Sequence, residues 1–442
     1  MLRLLVIDPG GDALDICLRA QNAGHTVKHW MRNLRETEFI GQGLVQRVEE
    51  WQAHVEWADL VFLSDNTHWL RELDAWRERG APIFGANQAG AELELNREAG
   101  QLALRKAGVP TLPYKVFDSY GPAIAYVKRE MKPLVSKPDA NADKGLSYVA
   151  KTPEEMIYML ERWQRLGKLK GKFILQDFVQ GCEMAVGGWF GPGGFAQGFT
   201  ENFEFKKFMD GDKGINTGEQ GTVLRVVKRS KLADRVLKPM AKWLEQNGYI
   251  GYIDVNTIID ESGQAWPLEF TARPGWPTMN FQQALIDGDP IQWMLDLISG
   301  RDSRPWIMDQ ICLGVVLTIP DYPYSHATKK EVVGVPVYGI TPKIAPNIHA
   351  LHVMRGTAPA TVQGKIINVP AYVTAGDYVL AATGVAETIR AAKDMAYRIL
   401  RRLHLPNSPQ YRTDIGDRLK TQLPKCQAHG YATGMVWDSP SS

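Results

Sequence analysis

Two strand-like runs, Tyr252-Ile253-Asp254-Val255-Asn256 and Trp266-Pro267-Leu268-Glu269-Phe270-Thr271-Ala272-Arg273-Pro274-Gly275, flank the turn Asp260-Glu261-Ser262-Gly263. A turn of that composition between two β-rich runs signals a hairpin. The two-residue period of a strand then sends Asp254 and Glu269 to one face of the pair. Two hard carboxylate oxygens on one face, with Arg273 nearby, suit Mg²⁺, which takes carboxylates together with the phosphates of a nucleotide. A carboxylate on a strand is more often solvated or ion-paired, so the hairpin constrains the fold more firmly than it does the ligand.

Around this hairpin, 442 residues are too many for one ordinary core and predict about three domains. A charged fraction of 23% and a formal net charge of +2 give no polyelectrolyte footprint for nucleic acid, so an anionic ligand must be held locally. Cys17, Cys182, Cys312 and Cys426 are widely spaced and form no CxxC pair, so neither a zinc knuckle nor a disulfide framework is indicated, and a reducing cytoplasm fits best. No apolar run reaches membrane-spanning length, and the start of the chain lacks a signal-peptide pattern.

Along residues 1–90, strand and helix patterns alternate: strands at 4–7, 26–30, 60–63 and 82–84 and a helix over 12–23 predict a small parallel α/β sheet. Asp8-Pro9-Gly10-Gly11 lies between the first strand and its helix, where an anion can meet backbone amides, although a tight turn needs the same glycines. One helix is expected over 89–107. It stops at Gly108-Val109-Pro110, and a compact α+β lobe follows over about 112–178. Strands then dominate to a helix over 231–246. Beyond 305 a last β-rich region ends in a helix over 385–403, and a Gly-, Ser- and Pro-rich tail from 423 to 442 is expected to be flexible.

Lys137 ends a strand, and the loop after it carries Lys144; together they offer two cations to a triphosphate. Further on, the apolar strand through Gln176 hands over to Phe178, Val179 and Glu183, a pattern that suits an adenine edge and a ribose. In this order, with the Glu269-x-Thr271-x-Arg273 strand, these segments resemble the ATP-grasp superfamily. Within it the chain resembles phosphoribosylamine–glycine ligase, through Gly211-Asp212-Lys213-Gly214-Ile215-Asn216-Thr217-Gly218, Leu268-Glu269-Phe270 and Asp414-Ile415-Gly416.

That resemblance implies an ATP-grasp fold (91–305, with a mobile lid at about 112–178) between an N-terminal Rossmann-like domain (1–90) and a small C-terminal β-rich domain (306–422). It implies ATP bound by Arg97, Lys137, Lys144, Gln176, Phe178, Val179 and Glu183. Mg²⁺, or Mn²⁺, would sit on Glu269, Thr271 and Asp254. Arg273 and Lys213 would be catalytic, and Gly10, Gly11, Asn216, Thr217, Gly218, Glu219, Gly275 and Trp276 would line the substrates. The implied reaction is ligation of an amine to an amino acid through an acyl phosphate, by a cytoplasmic monomer or dimer.

The chain departs from the family at its acceptor end. The family's Gly-x-Gly-Gly-Arg-Glu-His is here Asp8-Pro9-Gly10-Gly11-Asp12-Ala13-Leu14; Thr217-Gly218-Glu219-Gln220-Gly221 stands for Thr-Gly-Gly-Met-Gly, and Pro274-Gly275-Trp276-Pro277-Thr278 follows the arginine. These changes lead us to expect an altered substrate, such as an amine-bearing nucleoside or nucleotide. The alternatives are the ordinary phosphoribosylamine–glycine ligase of purine biosynthesis and a catalytically silent nucleotide-binding relative.

Overall fold

A computed structural model describes residues 1–32, 35–138, 146–168, 171–324, 330–406 and 408–438. At the N-terminal end, β1 (Arg3–Ile7), β2 (Thr26–Trp30), β3 (Gln46–Val48), β4 (Leu60–Leu63) and β5 (Ile83–Phe84) form a parallel sheet in the order β3-β2-β1-β4-β5. Strands β1 and β4 are apolar almost throughout because helices cover the sheet. Helices α1 (Leu14–Asn22) and α2 (Leu70–Glu78) connect these strands.

The single helix expected over 89–107 is two, α3 (Gln88–Leu95) and α4 (Arg97–Lys106). Asn96 breaks it: its extended backbone ends α3 while its side chain accepts from Ala99 N and caps α4. This bend turns Arg97 toward the central sheet, where it meets Glu269.

A four-stranded sheet follows, β6 (Tyr114–Phe117), β7 (Leu134–Pro138), β8 (Tyr148–Val149) and β9 (Phe173–Asp177), in the order β6-β9-β7-β8. With α5 (Tyr120–Glu130) and α6 (Pro153–Arg165) it encloses its own core around Leu134, Met156, Leu160 and Trp163. Thr152 caps α6 ahead of Pro153, the pairing that favours a helix start.

The largest sheet has nine strands. Its path is β15-β14-β10-β12-β13-β18-β22-β19, with β11 paired to β10. The strands are β10 (Gly181–Gly191), β11 (Gly194–Phe195), β12 (Phe199–Met209), β13 (Lys213–Val227), β14 (Gly251–Asp260), β15 (Ala265–Thr271), β18 (Ile311–Leu317), β19 (Ile348–Ala350) and β22 (Leu380–Ala386). Short strands β16 (Ile286–Asp287) and β17 (Trp306–Ile307) pair with each other, and β20 (Val353–Val362) with β21 (Lys365–Thr374) form a separate hairpin. Of the strands past 305, β18, β22 and β19 therefore extend the central sheet, since β18 pairs with both β13 and β22 and β22 with β19.

The run over 231–246 contains a wider turn at Ala233–Leu237 and a tighter one at Lys238–Met240 before α7 (Ala241–Gln246). Helices α8 (Thr278–Gln283), α9 (Pro290–Ile298) and α10 (Ile389–Leu400) pack around the sheet. The flexible tail expected from 423 is instead ordered through 438. Helix α11 (Leu419–Ala428) buries Leu419, Leu423 and Cys426, Tyr431 and Met435 follow them into the core, and Ile389 N donates to Val436 O at 2.9 Å. Apolar residues at helical spacing outweigh the glycine and proline around them.

Candidate active site

The carboxylate hairpin forms as the sequence predicts: β14 and β15 are antiparallel, with Asp254 opposite Thr271 and Asn256 opposite Glu269. Facing residues on paired strands share a side, so these four side chains lie on one face. Against that face come Lys137, from the end of β7, and Arg97, from the first turn of α4. Arg97 Nη1 lies 2.9 Å from Glu269 Oε2, and Lys137 Nζ donates to Leu268 O at 3.4 Å.

Three residues that the sequence reading passed over complete the array. Along β12, Asn202, Glu204 and Lys206 alternate with Phe203 and Phe205, so the polar three point to the hairpin and the aromatic two into the core. Lys206 Nζ reaches Glu204 Oε2 at 3.1 Å, Glu183 Oε1 at 3.2 Å and Glu269 Oε1 at 3.7 Å. Asn256 Nδ2 donates to Glu183 at 3.1 Å and to Glu204 at 3.3 Å, and Asn202 Nδ2 to Asp254 Oδ2 at 3.1 Å. The Asn-Phe-Glu-Phe-Lys alternation along this strand was the available signal.

The electrostatics follow from this crowding. Burial works against the Glu269 carboxylate, but Arg97, Lys206 and Lys137 outweigh it and hold the group at about 2. Burial pushes Lys137 down to about 8, with Arg97 and Lys206 adding to the effect and Glu269 opposing it. Burial and then Glu204 push Asp254 up to about 8. The face therefore presents partly neutralised carboxylates under a buried cation, an arrangement that an added triphosphate and divalent cation would rebalance. Among the described residues no group of three or more His, Cys, Asp or Glu side chains stands ready to hold a metal alone.

Gln176 is buried on β9 with its Nε2 unpartnered among the described residues, Phe178 is exposed just beyond it, and Val179 and Glu183 are half-buried. Lys144 lies outside the described residues. Lys213 and Arg273 are not brought into contact: Lys213 is exposed at the β12–β13 hairpin tip, whereas Arg273 Nη2 sits 3.4 Å from Glu94 Oε1. Glu94, also missed, accepts from Asn66 Nδ2 at 2.7 Å and from Ala272 N at 2.8 Å, tying the N-terminal sheet to the Arg273 strand.

At the acceptor end, Asp8 fills the place where an anion was considered. Its wholly buried carboxylate accepts from Asp12 N at 3.0 Å, Ala13 N at 2.8 Å and Ser64 Oγ at 2.7 Å, and contacts His29 Nε2 at 2.9 Å. Gly11 has φ +84°, and a Cβ there would meet Ile40 Cδ1 at 2.6 Å, so the backbone turn accounts for this glycine; Gly10 is exposed beside it. Asn216 and Gly218 are exposed on β13, and Thr217 Oγ1 donates to Lys206 O at 2.8 Å. Glu219 is buried and accepts from Thr278 Oγ1 at 3.1 Å; Trp276 is half-buried, packs against the core and directs Nε1 toward Ser64 O, and Gly275 precedes it at the entry to α8.

Residues 100–279 match the family model described as phosphoribosylglycinamide synthetase, ATP-grasp (A) domain. The chain is a member of the ATP-grasp superfamily, similar to phosphoribosylamine–glycine ligase. It is an ATP-grasp ligase. Phosphoribosylamine–glycine ligase of Ralstonia nicotianae is 29% identical over 360 residues, covering 78% of this chain and 81% of that protein, and the enzyme of Neisseria meningitidis serogroup B is 27% identical over 365 residues, covering 78% and 81%. Among solved structures, phosphoribosylamine–glycine ligase from Thermotoga maritima aligns with TM-score 0.72 at 20% identity, over 94% of this chain and 100% of that one. The biotin carboxylase domain of Hydrogenobacter thermophilus 2-oxoglutarate carboxylase, in complex with MgADP, ADP and bicarbonate, aligns with TM-score 0.64 at 13% identity, over 98% and 100%. No helix among the described residues is long and apolar enough to cross a membrane.

Proposed function

We propose that the protein is an ADP-forming carboxylate–amine ligase that joins glycine to phosphoribosylamine. The observation that carries the ligase reading is the array of Lys137, Arg97, Lys206, Glu183, Glu204 and Glu269 gathered where lid and central sheet meet. Phosphoryl transfer needs charge neutralisation and alignment more than a protein nucleophile, and this array offers cations and hard oxygen donors in one place. The relatives' names support phosphoribosylamine and glycine over the altered substrate expected from the sequence.

ATP would lie between the lid and central sheets, its phosphates toward Lys137 and its base toward Gln176, Phe178 and Val179, with Glu183 at the ribose. Glu269, Asp254 and Thr271 supply the oxygen donors for Mg²⁺, which when bound would neutralise phosphate charge. Arg273, anchored by Glu94, stands at the acceptor side of the array. Closure of the lid excludes water from the activated carboxylate.

The test is direct: purified protein given MgATP, glycine and phosphoribosylamine forms glycinamide ribonucleotide. A second reading, an amine acceptor on another scaffold, is favoured by the buried Glu219 where the family has glycine. Absence of glycinamide ribonucleotide together with ADP release driven by another amine would replace the first reading with the second.

A further inference from the structure

The corner between α3 and α4 grips the strand that carries Glu269 and Thr271. On the α4 side, Arg97 Nη1 lies 2.9 Å from Glu269 Oε2, and the buried Gln101 donates through Nε2 to Leu268 O at 3.1 Å. On the α3 side the grip is one carboxylate, Glu94. Its Oε2 accepts from Ala272 N at 2.8 Å and from Asn66 Nδ2 at 2.7 Å, and its Oε1 lies 3.4 Å from Arg273 Nη2. The two ion pairs, Arg97 with Glu269 and Glu94 with Arg273, run in opposite senses from the helix corner to the strand.

Glu94 stands in the last turn of α3, where the helix dipole disfavours a negative charge. Its side chain is only 12% exposed, so little water offsets that cost. The helix itself gains nothing from a carboxylate there; its three partners do. Two of them, Ala272 N and Arg273, follow directly on Thr271, where β15 ends. The third, Asn66, is buried on the loop after β4, the loop whose Ser64 O faces Trp276 Nε1.

Arg273 is placed between two groups of charge. It is within electrostatic reach of Glu204 in the array and of Asp12 and Asp65 on the loops of the N-terminal sheet. Glu94 therefore ties the C-terminal ends of the parallel strands to the one arginine that faces both them and the array.

We propose that Glu94 is a positioning residue that couples amide formation to ATP use: it holds Arg273 and the β4 loop together beside the activated carboxylate, so that the amine and not water reaches the acyl carbon. With Glu94 disabled, the nucleotide end, held by Arg97 and Lys137, still forms the acyl phosphate. A water oxygen then adds to the acyl carbon, and the bond from that carbon to the phosphate oxygen breaks. Phosphate leaves with the electron pair, the water's proton passes to solvent, and the amino acid is returned with ATP consumed. This rests on the ligase reading above.

The experiment gives wild type, Glu94→Gln, Asn66→Ala and Gln101→Ala MgATP, glycine and phosphoribosylamine, and measures ADP and glycinamide ribonucleotide in the same reaction. In Glu94→Gln the amide oxygen can still serve Asn66 and Ala272, but the NH2 group faces the Arg273 guanidinium, donor against donor, so Arg273 alone is released. The wild type should make ADP and amide in equal amounts. Glu94→Gln should lower amide formation by about tenfold to 100-fold, with ADP in excess of amide and the KM for ATP unchanged. Asn66→Ala, which frees the loop and leaves Arg273 paired, should show a smaller excess. Gln101→Ala loosens the same strand without reaching Arg273 and should keep the two products equal. Equal products in Glu94→Gln, at whatever rate, or the same excess in Gln101→Ala, would mean a structural role and overturn the proposal while leaving the ligase reading intact. A wild type that makes no glycinamide ribonucleotide overturns the reading on these substrates and the proposal with it.

Discussion

The end of the site that we assign to the nucleotide and the end that we assign to the acceptor are built differently. At the nucleotide end, charges stand on ladder positions of β10, β12, β14 and β15, where strand period and register fix their direction, and cations and carboxylates neutralise one another. At the acceptor end they stand on loops and a bulge: Asp8 turns back on the amides that begin α1, and Glu219 leaves the β12–β13 ladder altogether. Ladder positions keep their geometry through substitution elsewhere, whereas loops and bulges can be rebuilt locally. This physical difference accounts for a chain that keeps the ladder motifs it shares with phosphoribosylamine–glycine ligase and departs from that enzyme in its loops.

The contrast breaks most readily at the nucleotide end. Lys137→Ala and Glu269→Ala should each lower kcat/KM by about 100-fold or more with an unchanged circular dichroism spectrum; full activity in Glu269→Ala would remove it from the metal and phosphate machinery. At the acceptor end the largest effect should be on stability. Asp8→Ala removes the acceptor of two backbone amides and the buried partner of His29, and should cost about 3 to 5 kcal/mol in urea unfolding, with ADP affinity of the folded protein little changed.

Lys137 offers a way to sharpen the comparison through pH. Burial lowers its ordinary value to about 8, so it is cationic below that pH and loses its charge above it. A bound phosphate favours the cation. ADP affinity should therefore be flat below about pH 8 and fall as pH rises past it, by at most about tenfold per unit, and Lys137→Met should remove this dependence. The smallest effect belongs to Trp276, half-buried beside Ser64. Trp276→Phe keeps an aromatic face but loses the indole N–H, and should raise the amine KM by about tenfold or less without changing the KM for ATP.

The hairpin, the parallel N-terminal sheet and the four-stranded lobe after α4 were legible because each follows from strand period, turn composition or helix punctuation. Lys206 and Glu204 were not, because polar and apolar residues alternate along β12 as on any strand with one solvated face, and that alternation gains meaning only when β10 and β14 are known to lie beside it. The break at Asn96 was hidden by a good helix pattern on both sides, and the order of the C-terminal segment by glycines and prolines between the apolar residues that anchor it. Glu219 was legible as an unusual residue, but the bulge that buries it depends on a pairing register no local pattern records.

The central claim is that this site transfers the terminal phosphoryl group of ATP to a carboxylate. Phosphorus NMR of the complete reaction, with MgATP, glycine and phosphoribosylamine, tests it most directly. The account predicts ADP and inorganic phosphate in equal amounts with the amide product; AMP and pyrophosphate would mean an adenylate route and contradict it.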